Sequence, residues 1–257
     1  MIFDTHTHYD DKAFDGDRDE LLSSFKEKGI SGAACASAEW DSIPAILALC
    51  EKYDFLHLTL GIHPNNALEL TPEHRAELEA LIEEKKPVAI GEIGLDYHYE
   101  EPSREVQKEA FIYQLKLAER FDLPVIIHSR DAAEDTFEIL KEYAPKKRGV
   151  IHCYSGSPEM AKEYVKNGWF IGIGGVVTFK NGRKLKETVE QIPLENIVLE
   201  TDCPYLAPTP HRGERNSSLF LPLVVEKIAN LKGISTEEVE DVTEKNAERM
   251  YGISIRR

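Results

Sequence analysis

The amino-acid sequence predicts an α/β protein, a (β/α)8 TIM barrel, on three observations. Eight short β-like runs alternate with amphipathic helical segments along 257 residues, and strands alternating with helices make a parallel sheet. No Pro/Gly/Ser-rich linker, low-complexity tract or short-period repeat divides the chain, so residues 1–257 read as one domain. Polar residues suited to metal chemistry recur at the C-terminal ends of the runs, the rim where active sites of such barrels sit. An open doubly wound sheet is the alternative architecture.

The predicted strands are 2–8 (IFDTHTH), 31–36, 55–60 (FLHLTL), 87–92 (PVAIGE), 124–128 (PVIIH), 148–152 (RGVIH), 168–173 (GWFIGI) and 196–201 (NIVLET). Helical periodicity lies between them, as at 103–120, where Phe111, Leu115 and Ala118 recur at i, i+4 and i+7, and at 131–143. After the eighth strand two further helices are predicted, one over 218–231 and a last one with Ser235 as N-cap and Glu238 at N3, a capping-box pattern.

Composition narrows the function classes. With 42% hydrophobic and 30% charged residues the chain is an ordinary globular one, and no apolar stretch approaches the roughly 20 residues of a membrane helix. The N-terminus has no basic segment followed by a long apolar run, so a cytoplasmic location is expected by default. Cys35, Cys50, Cys153 and Cys203 show no C-x-x-C spacing and suggest no disulfide framework. A net charge of −15, from 46 acidic and 31 basic residues, argues against a protein that coats DNA, because such binding draws on Lys and Arg. It leaves open phosphate chemistry at a site made positive by metal ions.

The opening motif DTHTHYD sets His6 and His8 on alternate positions, and in a strand such positions share a face. Glu92 ends the fourth run, His128 the fifth and His152 the sixth, while Asp202 lies just past the eighth. In a closed barrel all six meet on one rim. Four histidines and two carboxylates exceed what one tetrahedral zinc takes. Two divalent cations sharing a carboxylate and a water-derived hydroxide would use them all, and leave about one net positive charge for an anionic substrate. Imidazoles favour zinc or another borderline transition ion over magnesium, which prefers an oxygen cage, while the working ion, magnesium or manganese included, need not be the tightest-binding one.

These motifs resemble those of the TatD-like metal-dependent deoxyribonucleases, a family within the amidohydrolase-type barrels. The matching segments are FDTHTHYDDKAFDGD, GIHP, GEIGLDYH, IHSRDA, HCYSGS, GVVTFKN, ETDCPYLAP and HRGERN, in order from residue 3 to residue 216. The resemblance implies that His6, His8, Glu92, His128, His152 and Asp202 bind two metals. Glu92 would bridge; His6, His8 and Asp202 would complete one metal, and His128 and His152 the other. The implied reaction is hydrolysis of phosphodiester bonds in DNA, removing nucleotides from a 3′ end, with Asp202 orienting the hydroxide or taking its proton and single-stranded DNA as the expected substrate. No membrane and no obligate protein partner are expected. The sequence departs from the family after Asn216, where Ser217 and Ser218 replace a common Glu-Pro.

Three further residues are candidates. His63 in GIHP would contact a substrate phosphate, or else is a turn histidine before Pro64. Arg130 offers a fork to phosphate, or a salt bridge to Asp131 or Glu134. Glu200, two positions before Asp202, would orient a ligand, or else pairs with an arginine. Alternation turns Cys153 and Cys203 away from the ligand face, Tyr9 reads as loop packing, and Lys180, Arg212 and Arg215 as solvated loop charges. Two other functions remain open: the same hydroxide attacking an ester, lactone or amide, and a non-catalytic metal-dependent binding protein.

Overall fold

Strands buried on both faces are what a parallel sheet covered by helices requires, and this chain supplies eight strands, six of them buried along their whole length. The computed structural model describes residues 1–255, so that residues 256 and 257 of the span read as one domain lie outside the described residues. The strands are β1 (Ile2–Thr7), β2 (Ile30–Ala36), β3 (Leu56–Leu60), β4 (Ala89–Asp96), β5 (Val125–Arg130), β6 (Gly149–Ile151), β7 (Phe170–Ile173) and β8 (Ile197–Leu199). They hydrogen-bond in chain order, each parallel to the next. The sheet closes just past β8, where a parallel bridge joins Thr7 to Cys203. There His8 N–H donates to Cys203 O at 3.0 Å and Asp202 N–H to His6 O at 3.1 Å. The predicted barrel is therefore present, with all eight strands near their predicted positions.

Nine α-helices accompany the strands: α1 (Arg18–Ser23), α2 (Ile43–Lys52), α3 (Pro72–Lys85), α4 (Arg104–Arg120), α5 (Ala133–Tyr143), α6 (Pro158–Lys166), α7 (Arg183–Gln191), α8 (Leu221–Lys232) and α9 (Thr236–Tyr251), counted among the described residues. Phe111, Leu115 and Ala118 form the buried stripe of α4, as their spacing predicts. α5 begins two residues later than its pattern suggests, because Asp131 takes φ +53° and cannot continue a helix. A 3-10 turn over Ser218–Phe220 precedes α8, whose start is fixed by Pro222 in its first turn. Ser235 caps α9 by accepting from Glu238 N at 3.1 Å.

The packing polarises the barrel. Phe3, Ala34, Ile126, Val150, Phe170 and Val198 fill its interior near the strand starts, where Ala247, Met250 and Tyr251 of α9 pack against them. Tyr251 Oη donates to Thr5 O at 2.6 Å. One end is thus plugged by apolar residues, and the polar interior is confined to the other. Besides one between Ile2 and Phe3 at the start of β1, two register shifts interrupt the sheet, between Asp4 and Thr7 of β1 and between Ile90 and Ile93 of β4. They bracket His6 and Glu92, and such irregularities re-aim side chains that regular alternation would place elsewhere.

Candidate metal centre

β1 delivers the first two histidines. His6 and His8 converge as their i, i+2 spacing demands, with Nε2 atoms 3.0 Å apart. His8 Nδ1–H donates to Ala36 O at 3.1 Å, which leaves Nε2 facing inward. β4 delivers Glu92, which sits inside the strand rather than at its end, since β4 runs on to Asp96. Glu92 Oε2 lies 3.4 Å from His6 Nε2 and 3.8 Å from His8 Nε2, and Oε1 lies 2.7 Å from His128 Nδ1, 3.7 Å from His152 Nε2 and 3.9 Å from His63 Nε2. One buried carboxylate is therefore ringed by five imidazoles. Asp202 Oδ1 faces three of them, His8 at 3.5 Å, His6 at 3.7 Å and His152 at 3.7 Å. Asp202 reaches this position with φ +57°, a left-handed backbone uncommon for aspartate and typical of constrained functional segments.

The residues next to this cluster hold its geometry. His152 Nδ1–H donates to Glu200 Oε2 at 2.9 Å, and Glu200 Oε1 accepts from Cys153 N at 2.6 Å. Glu200 thus pairs with a histidine and not with the arginine considered as an alternative. Its carboxylate occupies the space over Gly172, where a Cβ would lie 2.3 Å from Oε2. Asp4 binds the join of β1 to the segment after β8. Its carboxylate accepts from Thr201 N (3.0 Å), Thr201 Oγ1 (2.7 Å), Ser218 Oγ (2.6 Å) and His6 N (3.3 Å).

Sequence reasoning missed Asp96. Glu92, Gly94 and Asp96 alternate on β4, so the two acids share a face, and Asp96 Oδ2 lies 3.2 Å from His128 Nε2. Gly94 sits between them at φ +146°, where a Cβ would lie 2.0 Å from His128 O; only glycine lets β4 and β5 approach so closely. The signal was the GEIGLDY alternation, read as ending too early. Cys153 is a second correction. β6 stops at Ile151 and Cys153 takes φ +45°, so strand alternation no longer applies; Cys153 lines the cavity beside His152 and Glu200. Cys203 is buried. Tyr9 is also buried, its hydroxyl 2.8 Å from Ser218 Oγ. Arg215 forms a fork to Asp17 with both contacts at 2.6 Å, and Arg212 lies over Phe179.

Electrostatics follow from burial and partners. Burial alone would depress His8, but Asp202, Glu92 and Asp10 outweigh it and hold the imidazole up at about 9. His152 is likewise raised against its burial, to about 10, by Glu200, Glu92 and Asp202. His128 is raised to about 9 by Asp96 and Glu92. His6 moves the other way, depressed by burial and by His152, on which its ring stacks at 3.7 Å. Burial takes His63 down to about 4. Opposing its burial, the surrounding histidines hold Glu92 well below the usual carboxylate range.

The donor set fits divalent cations. The triads His6, His8, Glu92 and His6, His152, Asp202, and a third of His63, Glu92 and His128, each bring their donor atoms within 4.8 Å of one another. Imidazole nitrogens and carboxylate oxygens converging in a buried pocket are the ligands of zinc-like ions. Above them opens a cavity of about 850 Å³, lined among others by Arg130, Asn65, Tyr99 and Tyr205. Arg130 reaches this cavity with its guanidinium 5.8 Å from the Tyr99 ring centre.

Fold and donor set together define the class, a metal-dependent hydrolase built on an eight-stranded α/β barrel. Residues 3–252 match the family described as TatD related DNase. The chain is 40% identical over 255 residues to the uncharacterized metal-dependent hydrolase YabD of Bacillus subtilis, covering 99% of this chain and 100% of that one. It is 35% identical over 259 residues to the 3′-5′ ssDNA/RNA exonuclease TatD of Erwinia tasmaniensis, covering 98% and 100%. Among solved structures, YjjV, a TatD homolog from Escherichia coli K12, superposes with a TM-score of 0.92 at 32% identity, covering 98% of each chain. The chain belongs to the TatD related DNase family.

Proposed function

We propose that the protein is a two-metal phosphodiesterase that removes nucleotides from the 3′ end of single-stranded DNA. The observation that carries this reading is the position of Glu92. One carboxylate within 3.9 Å of five imidazole nitrogens, with Asp202 facing three of them, offers enough donors that Glu92 would be shared by two divalent cations. His6, His8 and Asp202 would hold one ion and His128 and His152 the other. A bound pair of divalent ions supplies Lewis acidity and a water acidic enough to attack near neutral pH. The name of the Erwinia relative supports nucleic acid as substrate.

The chain's own residues then have distinct tasks. Asp202 would orient the attacking water and accept its proton. His63 and Arg130 face the cavity and bind phosphoryl oxygens. Glu200, through His152, fixes the ring so that Nε2 points inward.

The test compares metal-loaded wild type and Asp202→Ala on 3′-ended single-stranded DNA, a nitrophenyl phosphodiester and carboxylic esters, with metal content measured by elemental analysis. Wild type should cleave the phosphodiesters and the variant should lose at least about a hundred-fold of that rate. Turnover of carboxylic esters alone would replace the phosphodiesterase reading with an esterase one.

A further inference from the structure

Of the four large apolar side chains exposed among the described residues, three, Tyr99, Tyr205 and Leu206, line the mouth of the cavity above the metal centre. Isolated exposed apolar residues need no explanation, but their concentration at one opening marks a contact surface. Tyr99 follows β4 and Tyr205 follows β8. Strands four apart in an eight-stranded barrel lie across from each other, so the two rings flank the opening from opposite sides.

Both rings are held in place while remaining accessible, at 54% exposure for Tyr99 and 56% for Tyr205. His98 packs edge-on against Tyr99, with centroids 4.9 Å apart and planes at 84°. Tyr205 N–H donates to Asp202 O at 2.9 Å, its carbonyl accepts from Asn216 Nδ2 at 2.7 Å, and its hydroxyl donates to Asp11 at 3.4 Å.

The charge on the same rim is of the wrong sign for a long polyanion. Asp10, Asp11 and Glu39 line the mouth, and Arg130 is the only lysine or arginine among the described lining residues. A nucleic-acid tract would need several cations along its backbone. Here one phosphate can reach Arg130 and the metal centre, and the next would meet carboxylates.

We infer that Tyr99 and Tyr205 are stacking platforms for the nucleobases on either side of the scissile phosphate, and that the acidic rim confines recognition to the last one or two nucleotides. The inference rests on the phosphodiesterase reading above. Aromatic stacking tolerates every base, so such a site is indifferent to sequence and strict about a free single-stranded end.

The experiment is a cycle between protein and substrate on the metal-loaded enzyme. Wild type, Tyr99→Ala, Tyr205→Ala and the two Tyr→Phe variants are assayed on a DNA dinucleotide, on the same dinucleotide with one base replaced by an abasic residue, and on oligonucleotides of 4, 8 and 16 residues. Removing a base should cost wild type about ten-fold in kcat/KM. That penalty should vanish in the corresponding Ala variant and persist in the Phe variant. Wild-type kcat/KM should level off by the tetranucleotide, with a log–log salt slope no steeper than about −1. Base removal that costs the same in Ala variants and wild type would overturn the stacking roles. A kcat/KM that climbs to 16 residues with a slope steeper than about −3 would overturn the confinement. An enzyme that cleaves none of these substrates refutes the phosphodiesterase reading, and this inference with it.

Discussion

His152 Nδ1 and Glu200 Oε2 lie 2.9 Å apart, both buried, with the glycine of β7 at 172 leaving room for the carboxylate. A carboxylate behind a ligating histidine fixes its tautomer and raises its basicity, and its loss costs about 10- to 100-fold in metal affinity. Glu200→Gln should therefore weaken metal binding by that factor while the protein stays folded. Gly172→Ala should do the same without replacing any charged residue, because the new Cβ would lie 2.3 Å from Glu200 Oε2 and push the carboxylate aside. Chelator competition followed by elemental analysis, with circular dichroism as a fold control, measures both. Full metal occupancy in both variants would remove Glu200 from the site.

Metal binding should release protons. His8, His128 and His152 are held at about 9, 9 and 10 by neighbouring carboxylates, so at pH 7 the metal-free protein carries protons where a cation would bind. Calorimetry in buffers of different ionisation enthalpy should show net proton release at pH 7, and metal affinity should fall as pH is lowered. The same groups set the stability of the metal-free protein. A raised imidazole contributes stability that is complete below its ordinary 6.5 and lost as pH rises through 9 to 10. Asp4, pushed up from 3.8 to about 7 by burial, acts in the same direction at lower pH, its contribution being lost between about pH 4 and 7. The metal-free Tm should decline between pH 6.5 and 10, and a rising Tm over that interval contradicts the assigned shifts.

Much of this centre was legible in the sequence because its ligand types stand at the ends of apolar runs, and a parallel barrel brings all such ends together. His6 and His8 needed only two-residue periodicity to be paired. Glu200 could be placed on the face of Asp202 but not matched to His152, because nothing in one sequence reports distances between strands six and eight. Asp96 was hidden by Gly94, which looks like a strand terminus yet serves the close approach of β4 to β5. Asp4 was hidden by its surroundings: a carboxylate between Phe3 and Thr5 shows its importance only when Thr201 and Ser218 arrive from the far end of the chain.

Ser218 is the second residue of the pair found where the family resemblance leads one to expect Glu-Pro, and its bonds make a prediction. Its hydroxyl reaches Asp4 at 2.6 Å and Tyr9 at 2.8 Å, and its backbone N–H donates to Tyr9 Oη at 3.0 Å. Ser218→Ala removes one of four donors to a buried carboxylate and should cost about 1–3 kcal/mol. That corresponds to a Tm lower by roughly 2–4 °C per kcal/mol in a chain of this size. Ser218→Pro also removes the N–H and should be the more destabilising of the two. Thermal unfolding of both variants decides it, and a proline variant as stable as wild type would mean that Asp4 and Tyr9 are held by other groups.

His63 contributes a donor to the cavity, and this separates it from the other four histidines. Its Nδ1 accepts from Asn65 N at 3.1 Å, so in the neutral ring the proton is on Nε2. Burial lowers its pKa to about 4, which keeps the ring neutral throughout the working range. Nε2–H faces the cavity, 3.9 Å from Glu92 Oε1 and too far for a hydrogen bond to it, and is free to donate to a phosphoryl oxygen. His63→Ala should lower kcat by about a hundred-fold, the usual cost of one donor to developing charge, and leave metal content unchanged. His63→Gln, whose amide can present an N–H from a similar position, should recover part of the loss. Because the ring does not titrate above about pH 5, the difference between wild type and His63→Gln should be flat from pH 6 to 9. Steady-state kinetics with elemental analysis of each variant tests all three statements, and loss of a metal from His63→Ala would make the residue a ligand instead.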